Sequence, residues 1–327
     1  MNLRSVSTTP SVIPKFLAPD IAFPDETSMV RRVTVKPAMC GHNSLFFGQV
    51  GDWTWETVSA LCDTNVFRAR NAEGAPTYLA FCYFHTQGSA LMHPYMLTIG
   101  DELRVTSRVF DFGSESVLTL HRIDFDDGAS QRPVELDEFY EHPRTDCMYI
   151  ENFNRWVTRS KEDSNQDLMS SAPAGFRHDH LPPFPTAFSP RTVLRSARNK
   201  KSFHDPKTDG YNPVRSEYQT TYRIDGNRDI NGVGLVYFAS FFSFVDIAVL
   251  RMWQWLGRPE RQFIGRRVLD HKLCYFGNVD LDSTLAITVR LRQHRDNPND
   301  ELVDVVIHDQ ATARLLAVAG VRMLTER

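Results

Sequence analysis

The sequence predicts an α+β protein in which an antiparallel sheet wraps a long apolar helix, and it predicts that unit twice. Three observations carry the expectation. The stretch GVGLVYFASFFSFVDIAVL (232–250) is apolar on nearly every side, so it must be enclosed rather than laid on a surface. Segments after each helical stretch alternate apolar and polar residues, as half-buried strands do. A run from about 160 to 215, rich in Pro, Ser, Asn and charge, divides the chain near its middle as linkers do.

The element order is the same on both sides of that divide. In the first copy, Gly48 and Gly51 lead into a helix over about 53–67. The strand PTYLAFCYFHTQG follows, then GDELRVTSRVFDFG paired with SESVLTLHRIDF. In the second, DINGVG (229–234) opens a longer helix to about Trp255, followed by RRVLDHKLCYFGNVD, LDSTLAITVRLRQH, ELVDVVIHD and ARLLAVAGVRM. Trp53 to Asp101 spans 48 positions and Leu235 to Asp282 spans 47. Side-chain identity between the copies is low, so what repeats is architecture; two unrelated α+β domains is the alternative reading. A sheet around one long helix is the hotdog arrangement, and two give a double hotdog. The expected division is an N-terminal arm (1–33), a first hotdog domain holding the active site (34–160), a linker (161–215) and a second hotdog domain (216–327). DINGVGLVYFASFFSFVD also resembles the helix-start pattern of hotdog thioesterases, through Asp229, Gly232 and Tyr237.

Composition narrows the function classes. The 327 residues carry a net charge of −3, so no global basic field argues for nucleic acid. Five cysteines (Cys40, Cys62, Cys82, Cys147, Cys274) are scattered, without a CxxC pair. That pattern argues against a disulfide framework and a zinc site and favours a reducing cytoplasm. The first 20 residues lack a signal-peptide apolar core, and no run reaches the ~20 apolar residues of a membrane span. The expectation is a soluble, cytoplasmic protein.

The candidate chemistry lies at a helix start. The amino end of a helix offers unpaired N–H groups and a positive partial charge, and glycines there let a ligand approach the backbone. Gly48, Gly51, Asp52 and Trp53 are therefore expected to bind a thioester and stabilise its oxyanion or enolate. The alternative is that Gly51 and Asp52 only form a turn and N-cap. On the next strand, period-two alternation groups Leu79, Phe81, Tyr83 and His85 on one face. Tyr83 is the candidate catalytic phenol, as proton donor or nucleophile, against the alternative of a structural tyrosine. His42 lacks the following Pro of hotdog dehydratases, which disfavours dehydration. The basic run RTVLRSARNKK (191–201) suits a carrier protein's acidic surface or a coenzyme A phosphate, or else is a solvated linker.

Several long stretches in one order then carry a resemblance: CGHNSLFFGQVGDWTWETVSALCDTNVF, SESVLTLHRID, YIENFNRWVTRS and NGVGLVYFASFFSFVD. From about residue 36 to near the C-terminus the chain resembles the LnmK-type bifunctional acyltransferase/decarboxylases of leinamycin biosynthesis. The resemblance implies a double hotdog enzyme of polyketide assembly. It implies decarboxylation of methylmalonyl-CoA and delivery of the propionyl group to the phosphopantetheine thiol of an acyl carrier protein, without a metal and without a cofactor beyond the coenzyme A thioester that is the substrate. It also implies a catalytic tyrosine on the strand after the first helix, placed at Tyr83. One departure is visible: a Tyr-Tyr pair of the family stands here as Cys82-Tyr83, and were the first tyrosine the active one, Cys82 would hold its place. Two other functions stay open. One is a hotdog thioesterase using Asp52, Glu56 or Asp229; the other is a non-catalytic acyl-binding module. In the second copy Tyr275 is the comparable phenol, and edge pairing of hotdog sheets would allow a homodimer.

Overall fold

The computed structural model describes residues 20–41, 45–128, 132–161, 164–205, 210–214 and 217–325. The first unit comprises β1 (Asp20–Asp25), β2 (Ser28–Thr34), α1 (Leu45–Leu61), β3 (Tyr78–Gln87), β4 (Glu102–Asp111), β5 (Ser116–Phe125), α2 (Leu136–Tyr140) and β6 (Met148–Arg159). Between the units lie β7 (Leu168–Ser170), α3 (Pro190–Lys200) and β8 (Tyr211–Pro213). The second unit comprises β9 (Tyr218–Arg223), α4 (Ser240–Trp255), α5 (Glu260–Ile264), β10 (Arg267–Tyr275), β11 (Thr284–His294), β12 (Asp300–Asp309) and β13 (Leu315–Leu324).

The repeat is visible in the strand order. The first unit runs β2-β4-β5-β6-β3 and the second β10-β13-β12-β11, with β9 also paired to β11. Each is the other's order reversed about one seam, where β3 pairs antiparallel with β10 from Cys274↔Tyr83 to Asp270↔Gln87. The expected two sheets are thus fused into one of 13 strands among the described residues. Inside it, α1 and α4 pack against each other, with Phe47 stacked on Phe242 at 4.2 Å. One core cluster runs from Val35 to Met323 across both units. Burying apolar faces of two helices against one curved sheet is the stabilising term; each aromatic pair adds ~0.5–1.5 kcal/mol beyond its area.

Three boundaries differ from expectation. Residues 20–33 are not a free arm, because β1 and β2 extend the first sheet through β2–β4 pairing; residues 1–19 and His42 lie outside the described residues. The expected linker carries α3, whose Ala197 is buried against Phe110, Phe153 and Tyr83 on the sheet's outer face. And α1 begins at Leu45 rather than near Trp53. Among the described residues, no helix is long and apolar enough to cross a membrane.

On that outer face Glu151 is 3% exposed, with Oε1 lacking a hydrogen-bond partner. Burial pushes its carboxyl up to about 8, with Tyr140 and then Lys272 pulling the other way. A carboxyl whose folded value lies above its unfolded one stabilises the fold only while protonated. Stability from this site is therefore full below the ordinary carboxylate range and lost as pH rises through about 8. Glu151→Gln is expected to raise Tm more at pH 9 than at pH 5; equal shifts at both would refute the protonated state.

Candidate functional site

A cavity of about 470 Å³ lies at the end of the β3–β10 seam. Pairing between these strands stops at Tyr83 and Cys274. Beyond that point β3 stays with β6 while the chain after Tyr275 turns away, so the fused sheet splits. The cavity fills the split. Cys82, Arg155, Arg198, Phe276 and Arg314 line it, as do Asp52, Trp55, Tyr237 and Phe238. The first group belongs to the outer face: Arg155 alternates with Trp156, which packs on the α1 residues Val58 and Leu61, while Cys82 and Phe276 pack in the cluster covered by α3. The second group belongs to α1 and the approach to α4. The cavity is thus a channel whose lining comes from both faces of the sheet.

Of the expected site residues, the structure brings only Asp52 to this channel. Gly51 lies inside α1, where amides are spent on carbonyls one turn back, and Gly48 is the helix's fourth residue; they do not form an amide nest before a helix. Their small size serves protein packing. A Cβ at Gly51 would stand 2.2 Å from Phe238 Cζ, and one at Gly48 3.2 Å from Tyr237 Oη. The glycines let the segment before α4 press against α1. Trp53 is 2% exposed and packs edge-on to Phe46 in the core, away from the lining.

Tyr83 is displaced by a β-bulge. The β3–β6 register shifts between Phe81 and Tyr83, so Cys82 is the extra residue and alternation reverses beyond it. Phe81 and Phe84 both face the helices, and Tyr83 turns to the outer cluster at 1% exposure. Burial pushes its phenol well above the ordinary range, with Glu151 adding to the effect. This overturns the placement of Tyr83 beside the first helix start. Tyr83→Phe is expected to keep turnover within about twofold of the wild type, measured by carrier-protein acylation; a hundredfold loss would return the phenol to the chemistry.

Asp52 is held by a rigid helix. Thr54 Oγ1 donates to the Val50 carbonyl (2.9 Å) and accepts from Asn152 Nδ2 (2.7 Å). With its only proton so placed, Thr54 accepts from His121 Nε2 (2.9 Å), and His121 Nδ1 accepts from Ser107 (2.8 Å). Burial, with Arg31 adding to it, drops His121 to about 3, keeping it neutral. This network pins α1 to the sheet. The Asp52 carboxylate has neither hydrogen bond nor ion pair among the described residues, and burial, then Glu56, raises its pKa.

Opposite Asp52 stands the amino end of α4. Asp229 Oδ2 accepts from Tyr222 Oη and the Asp225 amide, both 2.8 Å. Asn231 Oδ1 accepts from the amides of Val233 (3.1 Å) and Leu235 (3.0 Å), and Asn278 Oδ1 from that of Val236 (3.1 Å). With the Gly234 amide donating to the Asn231 carbonyl (3.0 Å) and the Tyr237 amide to the Asp229 carbonyl (2.7 Å), these bonds engage the donors of residues 233–237. The next two, the main-chain N–H groups of Phe238 and Ala239, have no partner among the described residues. They stand at the positive end of a 16-residue helix. Tyr237 Oη points back at the Gly48 carbonyl (3.4 Å), and burial, then Asp52, pushes its phenol up. Sequence reasoning named this segment but placed the donors at α1. Glu56 and Asp229, the other candidate acids, are engaged: Glu56 pairs with Arg31 and Asp229 braces the loop. No group of three or more metal-ligating side chains occurs among the described residues.

Cys82 sits on the channel wall. Burial pushes its thiol up to about 11, with Arg155 opposing.

Comparison with known proteins agrees with this architecture. An acyl-ACP thioesterase from Bacteroides thetaiotaomicron superposes with a TM-score of 0.52 at 11% identity, covering 90% of this chain and 97% of that one. A 12:0-ACP thioesterase from Umbellularia californica gives 0.52 at 11% identity, covering 91% and 98%. At that identity the likeness concerns the fold alone. No curated protein matches by sequence. The family described as the LnmK N-terminal Hot Dog Fold domain matches residues 30–205, more than half of the chain. With its fused hotdog sheet and paired central helices, this chain belongs to the LnmK family of double hotdog proteins.

Proposed function

We propose that the protein is an enzyme of acyl thioesters that decarboxylates methylmalonyl-CoA and passes the propionyl group to the phosphopantetheine thiol of an acyl carrier protein. The observation that carries this reading is the channel, whose lining combines three arginines with the half-buried Asp52 carboxyl and Phe238, the residue whose main-chain N–H is unbonded among the described residues at the start of α4. The thioester carbonyl oxygen would lie at the N–H groups of Phe238 and Ala239. As the C–CO2 bond breaks, its electron pair moves into the carbonyl and the enolate oxygen is received by those donors, which are worth ~3–4 kcal/mol each in comparable oxyanion sites. A proton then returns to the α-carbon from Asp52, whose raised pKa suits a donor better than a base that activates water. In the transfer step the carrier thiol adds to the same carbonyl, the oxyanion rests on the same amides, and coenzyme A leaves with the thiol proton. Family membership supports decarboxylation with transfer over hydrolysis.

The test is incubation with methylmalonyl-CoA and phosphopantetheinylated carrier protein, following CO2 release and the carrier's intact mass. Propionylated carrier is expected. Free coenzyme A with an unchanged carrier and no CO2 would instead make the protein a thioesterase, and binding without turnover would make it an acyl-binding module.

A further inference from the structure

Three arginines from distant parts of the chain meet on the channel: Arg155 from β6, Arg198 from α3 and Arg314 from the turn before β13. None forms an ion pair with a carboxylate among the described residues. Each is nevertheless positioned. Arg314 donates to the carbonyls of Gln166 (2.8 Å) and Asn278, which fix its plane without neutralising it. Arg198 lies over the Phe276 ring at 4.7 Å. Arg155 is half-buried on the wall beside Cys82. Arg155 and Arg314 are half-buried and Arg198 is exposed; partly desolvated cations without a counter-charge gain from a ligand that supplies one, and guanidinium forks match phosphate geometry. The channel's one acid, Asp52, belongs to the inner end, on α1.

Resting on the acyl-thioester reading above, we propose that Arg155, Arg198 and Arg314 grip the phosphate of a 4′-phosphopantetheine arm. The uncharged pantetheine then threads the split between Cys82 and Tyr275, and its thioester reaches Phe238 and Asp52. The same phosphate occurs in coenzyme A and, as a phosphodiester, on a carrier protein. One grip would therefore serve donor and acceptor in turn, which explains why a helix from the segment between the units is folded over the channel.

The test uses the full chain and isothermal titration with pantetheine, 4′-phosphopantetheine, coenzyme A and phosphopantetheinylated carrier protein. The wild type is expected to bind 4′-phosphopantetheine at least tenfold more tightly than pantetheine, with that margin shrinking as salt rises. Arg198→Ala, at an exposed position, and Arg155→Met should each remove most of the margin and leave pantetheine binding unchanged. A loss shared by coenzyme A and carrier assigns the grip to both, and a loss confined to one assigns it to that source. Equal affinity of the wild type for pantetheine and 4′-phosphopantetheine, or variants that weaken both equally, overturns the grip. Turnover without a phosphate margin would refute the grip and spare the proposed reaction; a phosphate margin without turnover would do the reverse.

Discussion

Asp52→Asn is expected to lower kcat for carrier acylation by ~10²–10⁴-fold, the range for removing a positioned proton donor, with KM changed little. The carboxyl has no hydrogen bond or ion pair among the described residues, so its loss leaves no orphaned partner and the fold should survive intact. The pH dependence follows from the raised pKa. A donor is competent only while protonated, so wild-type kcat should fall as pH rises through the shifted carboxyl value. Removing Glu56 alone tests the same group a second way. Its charge contributes to the shift, so Glu56→Gln should move the descending limb to lower pH without abolishing turnover. A kcat limb that stays in place in Glu56→Gln, or an active Asp52→Asn enzyme, would take Asp52 out of the reaction.

Gly51→Ala is expected to destabilise the protein by ~1–3 kcal/mol, the usual cost of overpacking a filled core, despite a helix-propensity gain of ~1 kcal/mol from replacing a mid-helix glycine. The clash wins because Phe238, whose Cζ would lie 2.2 Å from the new methyl, cannot retreat. Its ring stacks on Phe81 at 4.1 Å and meets Trp55 at 5.7 Å. Relief would come from pushing the 237–239 segment off α1, which also moves the two free amides. Turnover should therefore drop together with Tm. Gly48→Ala is the graded control: its nearest atom, at 3.2 Å, is the far end of the Tyr237 side chain, so its effect should be clearly smaller. Equal Tm values for wild type and Gly51→Ala, by calorimetry, would refute the packing role.

The strands were legible because their period-two patterns are local. β4, β5, β11, β12 and β13 stand within about three residues of the alternating segments read from the chain. The enclosed helix was legible because an apolar surface on all sides has one stable destination. β6 is not legible as a strand in the sequence. Its inward polar residues, Asn152 and Asn154, hide the alternation, and Asn152 is explained only by its bond to Thr54 on α1. The first helix was shifted because SLFFGQVG looks like a lead-in when its glycines are taken as punctuation. They are contact points for Phe238 and Tyr237, nearly 190 positions away. Tyr83 was misplaced because one bulge reverses every later side chain on its strand, and AFCYF is too uniformly apolar to reveal where the extra residue falls. That uniformity was itself a usable signal.

From the order of residues alone came the duplicated helix-and-sheet unit, the family likeness and the approximate region of the site, since these depend on periodicity and on contiguous stretches. Only the folded chain decided which helix offers free amides, which side of β3 each residue takes, and that Arg155, Arg198 and Arg314 share an opening. Those are consequences of the seam between β3 and β10 and of where it parts. A pairing between strands some 190 positions apart leaves no local trace, because the energy that selects it is realised only when both sheets close over their common core.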